Sequence, residues 1–281
     1  MPFYAETLGL SDSQFALLRD LIHERTGMFY ENGKRDLLAD KLSPCVAERG
    51  FGNFLDYYYL LKYDANAQAE WQRVMDALSV QETYFWREID QVCALVDVIV
   101  PQHFVARPFE PLRLWSAACA TGEEPLTIAM VLNEAGWFQR APIEILASDA
   151  SPSALAKARR GVYRERSFRN LSAELRARYF TPVEGGWQVD AALHARIKWS
   201  LANLVVREEI APLAQSRVIF CRNVFIYFSE QAIRQVVRTF YEQMPTPAYL
   251  FVGASESLLK LATDFDLQEI GSAFVYVKRE A

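Results

Sequence analysis

Cysteine and histidine are scarce in this chain of 281 residues, which has four cysteines (Cys45, Cys93, Cys119, Cys221) and three histidines (His23, His103, His194). The cysteines show no CxxC spacing and the histidines do not cluster with them. That excludes a zinc site of ordinary spacing and a disulfide framework, and it fits reduced thiols in a cytoplasmic protein. An excess of positive charge is also missing: 30 Lys and Arg face 35 Asp and Glu, a net charge of -5. A duplex nucleic-acid binder normally carries a basic face to neutralise phosphates, so no nucleic-acid partner is expected. No uncharged run reaches the roughly 18 residues of a membrane helix, and no basic-then-apolar leader opens the chain, so neither membrane insertion nor targeting is expected. A GxGxxG turn is absent as well, which counts against a nicotinamide-dependent oxidoreductase.

What is present is ample apolar material, 51% of the residues, enough for one large core or two modest ones. The first eighty residues have helical periodicity. Ser11 and Gln14 have capping-box spacing, Phe15, Leu18, Leu21 and Ile22 share a face, and Gly27 is placed as a stop. A second helix is expected from Lys34 to Arg49, with Leu37, Leu38, Leu42, Cys45 and Val46 apolar and Pro44 kinking or ending it. Two more surround Phe54–Leu61 and Trp71–Leu78. After residue 110 the pattern alternates: strand-like runs at 112–118, 143–149, 218–223 and 249–254 are separated by helical stretches. This order predicts a parallel sheet with crossover helices, closed by an antiparallel pair around Gly271 and Ser272.

An open parallel sheet binds its ligand at the carboxyl ends of its strands. The first such end, "SAACATGEEP", uses small residues at Ala118, Cys119, Ala120 and Gly122, letting backbone approach a ligand closely. Glu123 and Glu124 follow. They suit the helix dipole, repel phosphate, and favour a cation or amine. Asp149 ends the second strand, where an acid can accept from ribose hydroxyls or cap the helix beginning "SPSAL". S-adenosylmethionine has a ribose, a positive centre and an amino-acid head, and would satisfy both places.

"QETYFWRE" (81–88), "WSAACATGEEPLTIAM", "ASDASPSALAKARRGVY" and "FCRNVFIYF" occur in an order and spacing that resemble the CheR-type methyltransferases, which esterify glutamates on bacterial chemoreceptors. The resemblance runs from about residue 11 to 279. It implies an α/β fold: a class I S-adenosylmethionine-dependent, Rossmann-like domain (111–281) with a small inserted β-subdomain at about 164–202. Before it would come an all-α domain (1–80) and a linker helix with an active-site segment (81–110). It also implies S-adenosyl-L-homocysteine as product, chemoreceptor cytoplasmic helices as partners, and a monomer.

Carried over residue by residue, the resemblance assigns Thr83 and Arg87 to cofactor or substrate contacts, with Gln81 where the family usually has Asn. Glu123 or Glu124 would meet the methionine part, Asp149 the ribose, and Asn203 and Leu204 the adenine. Arg222 and Asn223 form a further cofactor-contacting pair, and Tyr227 stands near the reacting centre. Phe220, Phe225, Ile226 and Phe228 are expected in the core.

Two departures from the family pattern stand out. The second helix keeps only Lys34, Arg35, Lys41 and Arg49 of a denser basic run, so receptor docking is expected to be weaker or differently aimed. "YFTPVEGGWQV" is also shorter than the loop of members that tether to a receptor's C-terminal pentapeptide, so no tethering is expected. A catalytically weak module that senses cofactor or docks a partner is the alternative reading.

Overall fold

A computed structural model describes residues 8–261 and 264–279; the first residues, where no leader is expected, lie outside the described ones. Four helices open the chain: α1 (Asp12–Thr26), α2 (Arg35–Glu48), α3 (Phe54–Tyr63) and α4 (Gln68–Leu78). Ser11 and Gln14 form the expected capping box, and Gly27 ends α1 in the left-handed region at φ 75°. Leu18, Ile22, Leu38, Leu42, Phe54, Tyr57 and Val74 pack into a core of their own.

Pro44 neither ends nor breaks α2. The carbonyl it leaves unpaired, four residues back, belongs to Asp40 on the exposed face, where water can take the missing donor's place.

Helix α5 (Ile89–Ala106) is long and apolar enough for a membrane span, with mean hydropathy 1.3. It carries Asp90 and Asp97, and its Val92, Leu95, Val96, Ile99 and Val100 are buried against the sheet as core.

The large sheet contains β1 (Leu112–Ala117), β2 (Ile143–Asp149), β6 (Ile197–Leu201), β7 (Val218–Cys221), β8 (Ala248–Phe251), β9 (Asp266–Ile270) and β10 (Ala273–Lys278), in the order β6-β2-β1-β7-β8-β10-β9. The first five are parallel, and β10 runs antiparallel to both β8 and β9. Helix α5 and α6 (Glu123–Glu134) cover one face. The later helices α11 (Arg207–Ala214) and α12 (Glu230–Gln243) cover the other. Strand order reverses between β1 and β7: the crossover after β1 runs to β2 on one side and that after β7 to β8 on the other, so a crevice opens between their carboxyl ends.

Between α6 and β6 lie a short helix α7 (Trp137–Arg140), α8 (Pro152–Arg160), and two further short helices, α9 (Ala173–Tyr179) and α10 (Ala191–His194). A second sheet of β3 (Val162–Tyr163), β4 (Phe180–Val183) and β5 (Gly186–Val189) forms the inserted unit, in the order β3-β5-β4. Ile197–Leu201, expected inside the insert, instead pairs with β2 as an edge strand of the large sheet. Its mixed "IKWSL" suits an edge that is half solvated, and that hid it among loop residues.

Two groups of contacts among the described residues tie the helical domain to the large sheet's domain. At one, Met28 bridges Phe228, Ser229 N donates to Gly27 O, and His23 Nε2 lies 2.7 Å from Ser229 Oγ. At the other, the Asp76 carboxylate accepts from Ser151 Oγ at 2.5 Å and Ser153 N at 3.0 Å at the start of α8. Asp76→Ala is expected to cost about 1–3 kcal/mol through these orphaned donors, read as a lowered melting temperature; an unchanged melting temperature would show that this second junction stabilises nothing.

Candidate active site at the strand ends

Beyond β1 the chain turns through Ala118 (φ 64°), Ala120 (φ 47°) and Gly122 (φ 97°), all in the left-handed region. Side chains disfavour that region, at roughly 1–2 kcal/mol per residue. At Gly122 a Cβ would also stand 2.9 Å from the Trp199 ring and 3.0 Å from the Tyr163 hydroxyl, so the turn needs glycine there. Asp149 holds the turn from the neighbouring strand: Oδ2 accepts from Ala120 N and Oδ1 from Ser151 N, each at 2.8 Å. Ser151, not Asp149, caps α8, with its hydroxyl accepting from Ala154 N.

The segment 81–88 crosses the crevice. Phe85 is fully buried against Tyr163, Phe168 and Phe180 of the inserted unit, while Trp86 (φ 67°) and Glu88 (φ 49°) turn the backbone around it. Arg87 donates to Glu82 O at 2.9 Å, and its carbonyl accepts from the buried Arg222 at 2.7 Å. At the end of β7, Asn223 is left-handed too (φ 58°). Its N–H donates to Glu256 at 2.7 Å.

These pieces enclose two adjoining chambers that share Val80, Ala118, Ala120 and Asn223. Thr83, Arg87, Glu124 and Arg222 line the first; Gln81, Asp149, Asn203, Leu204 and Tyr227 line the second, with Thr26, Met28 and Met75 from the helical domain. Glu123 lines neither. It is buried on the opposite side, accepting from Thr121 and Ser167 hydroxyls at 2.6 and 2.9 Å, so of the acidic pair only Glu124 faces the crevice.

Gln81 is engaged: its oxygen accepts from Lys157 at 2.7 Å and its nitrogen lies 3.5 and 3.4 Å from the Ser151 and Ser153 hydroxyls. The Asn203 amide donates to Arg25 O at 2.8 Å. Ile226, expected in the core, is 53% exposed. Residues 225–227 form a single 3₁₀ turn on which Phe225 points inward and Ile226 outward.

Sequence reasoning missed Glu256, which binds Asn223 N, Gly253 N and Ile226 N, and Glu88, which binds Ala254 N. Both act on backbone, and no motif announces that.

Burial raises the pKa of Glu124, opposed chiefly by Arg222 at 3.5 Å and a hydrogen bond from Ser116. Burial likewise raises that of Asp149, against the N–H groups of Ser151 and Ala120. Arg222 Nε is buried without a hydrogen-bond partner among the described residues. A cation and an acid side by side, one donor unspent, suit the carboxylate and ammonium of an amino-acid head. A recessed carboxylate in the next chamber suits ribose hydroxyls. The donor set therefore fits S-adenosylmethionine.

The family description "CheR methyltransferase, SAM binding domain" matches residues 81–274, and "CheR methyltransferase, all-alpha domain" matches 13–79. Chemotaxis protein methyltransferase 2 of Vibrio cholerae is 35% identical over 272 residues, covering 96% of this chain and 94% of that protein. Chemotaxis protein methyltransferase of Escherichia coli is 33% identical over 267 residues, covering 94% and 91%. Among solved structures, the magnesium protoporphyrin IX methyltransferase of Synechocystis with bound SAM overlaps with a TM-score of 0.33 at 12% identity, covering 79% of this chain and 93% of that one.

The raised carboxyl pKa values of Glu124 and Asp149 set opposite pH slopes for stability and binding. A raised folded pKa contributes stability below the unfolded value that is lost as pH rises through the folded one, so the free protein should lose this contribution above the ordinary carboxylate range. Ligand binding needs the ionised forms, so S-adenosylhomocysteine affinity should weaken, by about tenfold per pH unit for each essential carboxylate, once pH falls below the raised pKa. Calorimetry across the mildly acidic range checks this, with Asp149→Ala expected to remove most of the binding. A flat affinity profile would remove both carboxylates from the site.

Proposed function

The chain belongs to the CheR methyltransferase family, and on that footing we propose that it methylates glutamate side-chain carboxylates on cytoplasmic helices of bacterial chemoreceptors, forming methyl esters, and that it acts as a monomer. The observation that carries this reading is the convergence of Arg87, Glu124, Asp149, Arg222 and Tyr227 on one crevice between the two domains. A decayed module would have no reason to keep that set assembled, so the sensing-only alternative is set aside.

When bound, S-adenosylmethionine supplies an electrophilic methyl group on a positively charged sulfur. In our assignment Glu124 and Arg222 hold its amino-acid head, Asp149 its ribose, and Leu204 with the backbone of Asn203 its adenine edge. Gln81 acts through α8, whose first turn it ties to the crevice.

A glutamate side chain has a pKa near 4.3 and arrives already ionised at neutral pH. No base has to remove a proton, which agrees with the lack of a histidine in either chamber. Two tasks are left to the protein: aligning the carboxylate and replacing its water shell. Arg87 is fixed through Glu82 O and rests near the Tyr84 ring, whose other neighbour is Arg169 at 3.6 Å. It is placed to orient the incoming carboxylate by charge-assisted hydrogen bonds. Tyr227 forms the wall between the cofactor chamber and the surface.

The turn between β4 and β5 is only Glu184 and Gly185. That brevity supports the absence of pentapeptide tethering, and calorimetry with a receptor-tail pentapeptide should detect no binding; micromolar affinity would overturn the point.

Radiolabelled methyl transfer to receptor-containing membranes, released by base as methanol, is the test of the main reading. Arg87→Ala should lower turnover by about a hundredfold or more with no change in melting temperature, and near-normal turnover would exclude Arg87 from carboxylate alignment.

A further inference from the structure

The cations expected to dock an acidic receptor helix are largely committed elsewhere in this protein. Arg35 pairs with Asp12 at 2.9 Å and Asp36 at 3.1 Å, and Arg49 pairs with the buried Glu70 at 2.5 Å. Lys41 Nζ donates to the carbonyls of Ala77 and Leu78 at 3.4 and 3.0 Å, capping the end of α4, and burial lowers its pKa. Of the four basic residues along α2, Lys34 alone has neither an ion pair nor a side-chain hydrogen bond among the described residues.

What this face offers instead is apolar. Leu37 lies within a turn of both Lys34 and Lys41 on the same side of α2, and it is 45% exposed. Phe29 (45%), Val80 (46%) and Ile226 (53%) are exposed beside it, and all four line one groove. Apolar residues scattered singly over a surface need no explanation, whereas a contiguous apolar groove rimmed by polar groups does.

The groove also has a direction. Met28, Val80, Tyr227 and Phe228 line both the groove and the Asp149 chamber, and Val80 also lines the Arg87 chamber, so the inner end of the groove meets the two chambers where they adjoin. Its charged lining is Glu31, the unpaired Lys34 and Lys41, whose ammonium is turned to the Ala77 and Leu78 carbonyls. A helix approaching the site therefore meets a hydrophobic track with a single free cation among the described residues, Lys34, facing Glu31.

We propose that this groove takes the apolar stripe of the methyl-accepting helix, so that an apolar side chain close in sequence to the target glutamate seats among Phe29, Leu37 and Ile226 while the carboxylate reaches Arg87. The inference rests on the methyltransferase reading above. It makes the neighbours of the acceptor glutamate apolar by requirement, and it makes recognition a matter of burial more than of steering by charge. A helix laid in a groove is read through anchors spaced about a turn apart, which suits the short span from Leu37 to Ile226.

Methyl transfer to receptor-containing membranes, measured as a function of receptor concentration, tests it with the full-length enzyme. Leu37→Asp and Ile226→Asp place a charge in the groove at exposed positions, and each should raise KM for receptor about tenfold, the cost of an interfacial charge left unpaired. The change should fall on KM more than on kcat, Leu37→Met should restore it, and the affinity for S-adenosylhomocysteine by calorimetry should be unaltered, confirming an intact fold. Unchanged KM in both Asp variants overturns the proposal. So does a wild-type rate that falls steeply with salt together with a larger effect of Lys34→Ala than of Leu37→Asp, since that pattern marks charge-driven docking. Wild-type enzyme that binds S-adenosylhomocysteine but methylates no receptor would remove the function itself and the groove's role with it; wild-type methylation with unaffected variants would remove the groove alone.

Discussion

Among the described residues, five that carry side chains hold a left-handed backbone: Ala118, Ala120 and Asn223 line the crevice, and Trp86 and Glu88 belong to the segment that crosses it. Such residues persist only where their surroundings over-determine them. Here the restraint is electrostatic. Asp149 grips Ala120, Glu256 grips Asn223 and Gly253 together, and Glu88 grips Ala254. Carboxylates bound to backbone N–H groups make stronger bonds than neutral partners do, and each acts on a turn that would otherwise relax. The crevice keeps its shape because acids from three segments hold it open.

This arrangement gives the acids of the site different tasks. Asp149 spends one lone pair on each of two N–H groups yet still faces the chamber, so the group that would meet ribose is the same one that fixes the turn. Glu256 stays behind the wall and never needs a ligand. Gly253 shows how closely the wall is built: a Cβ there would fall 2.5 Å from the Asn223 amide and 2.8 Å from the Glu256 carboxylate. Geometry for the chemistry is set by residues that take no part in it.

The sequence disclosed those parts of the molecule that obey a period or end a strand. Helix α1 is legible because its capping box, apolar stripe and terminal glycine agree with one another. Asp149 is legible because it ends a strand, where ligands gather, whereas Asn223 is singled out only by the family resemblance. Choosing between Glu123 and Glu124 was beyond pattern reading, since adjacent helical residues point about 100° apart and only packing against Ser167 decides which one turns inward. Leu37 and Ile226 misled for the opposite reason. Both are apolar, and only the tertiary arrangement shows that the other described residues leave them about half exposed. Asp76 and Glu88 were invisible because their partners, backbone N–H groups and side chains alike, come from distant segments.

The stitching of the first helix to the turn after β7 has a bearing on how the protein comes into being. His23 and Ser229 touch across 206 residues of chain. Contacts so distant must wait on loop closure that local helix packing does not need, so they form late. On the ribosome, the four leading helices can bury their own core early, while the wall they lend to the crevice has nothing to lean on until most of the polypeptide has emerged. A chain ended before β7 would have the four leading helices but not Arg222, Asn223 or Tyr227, and so neither chamber would be complete. Nascent or prematurely ended copies are thereby kept from sequestering nucleoside ligands before the molecule is whole.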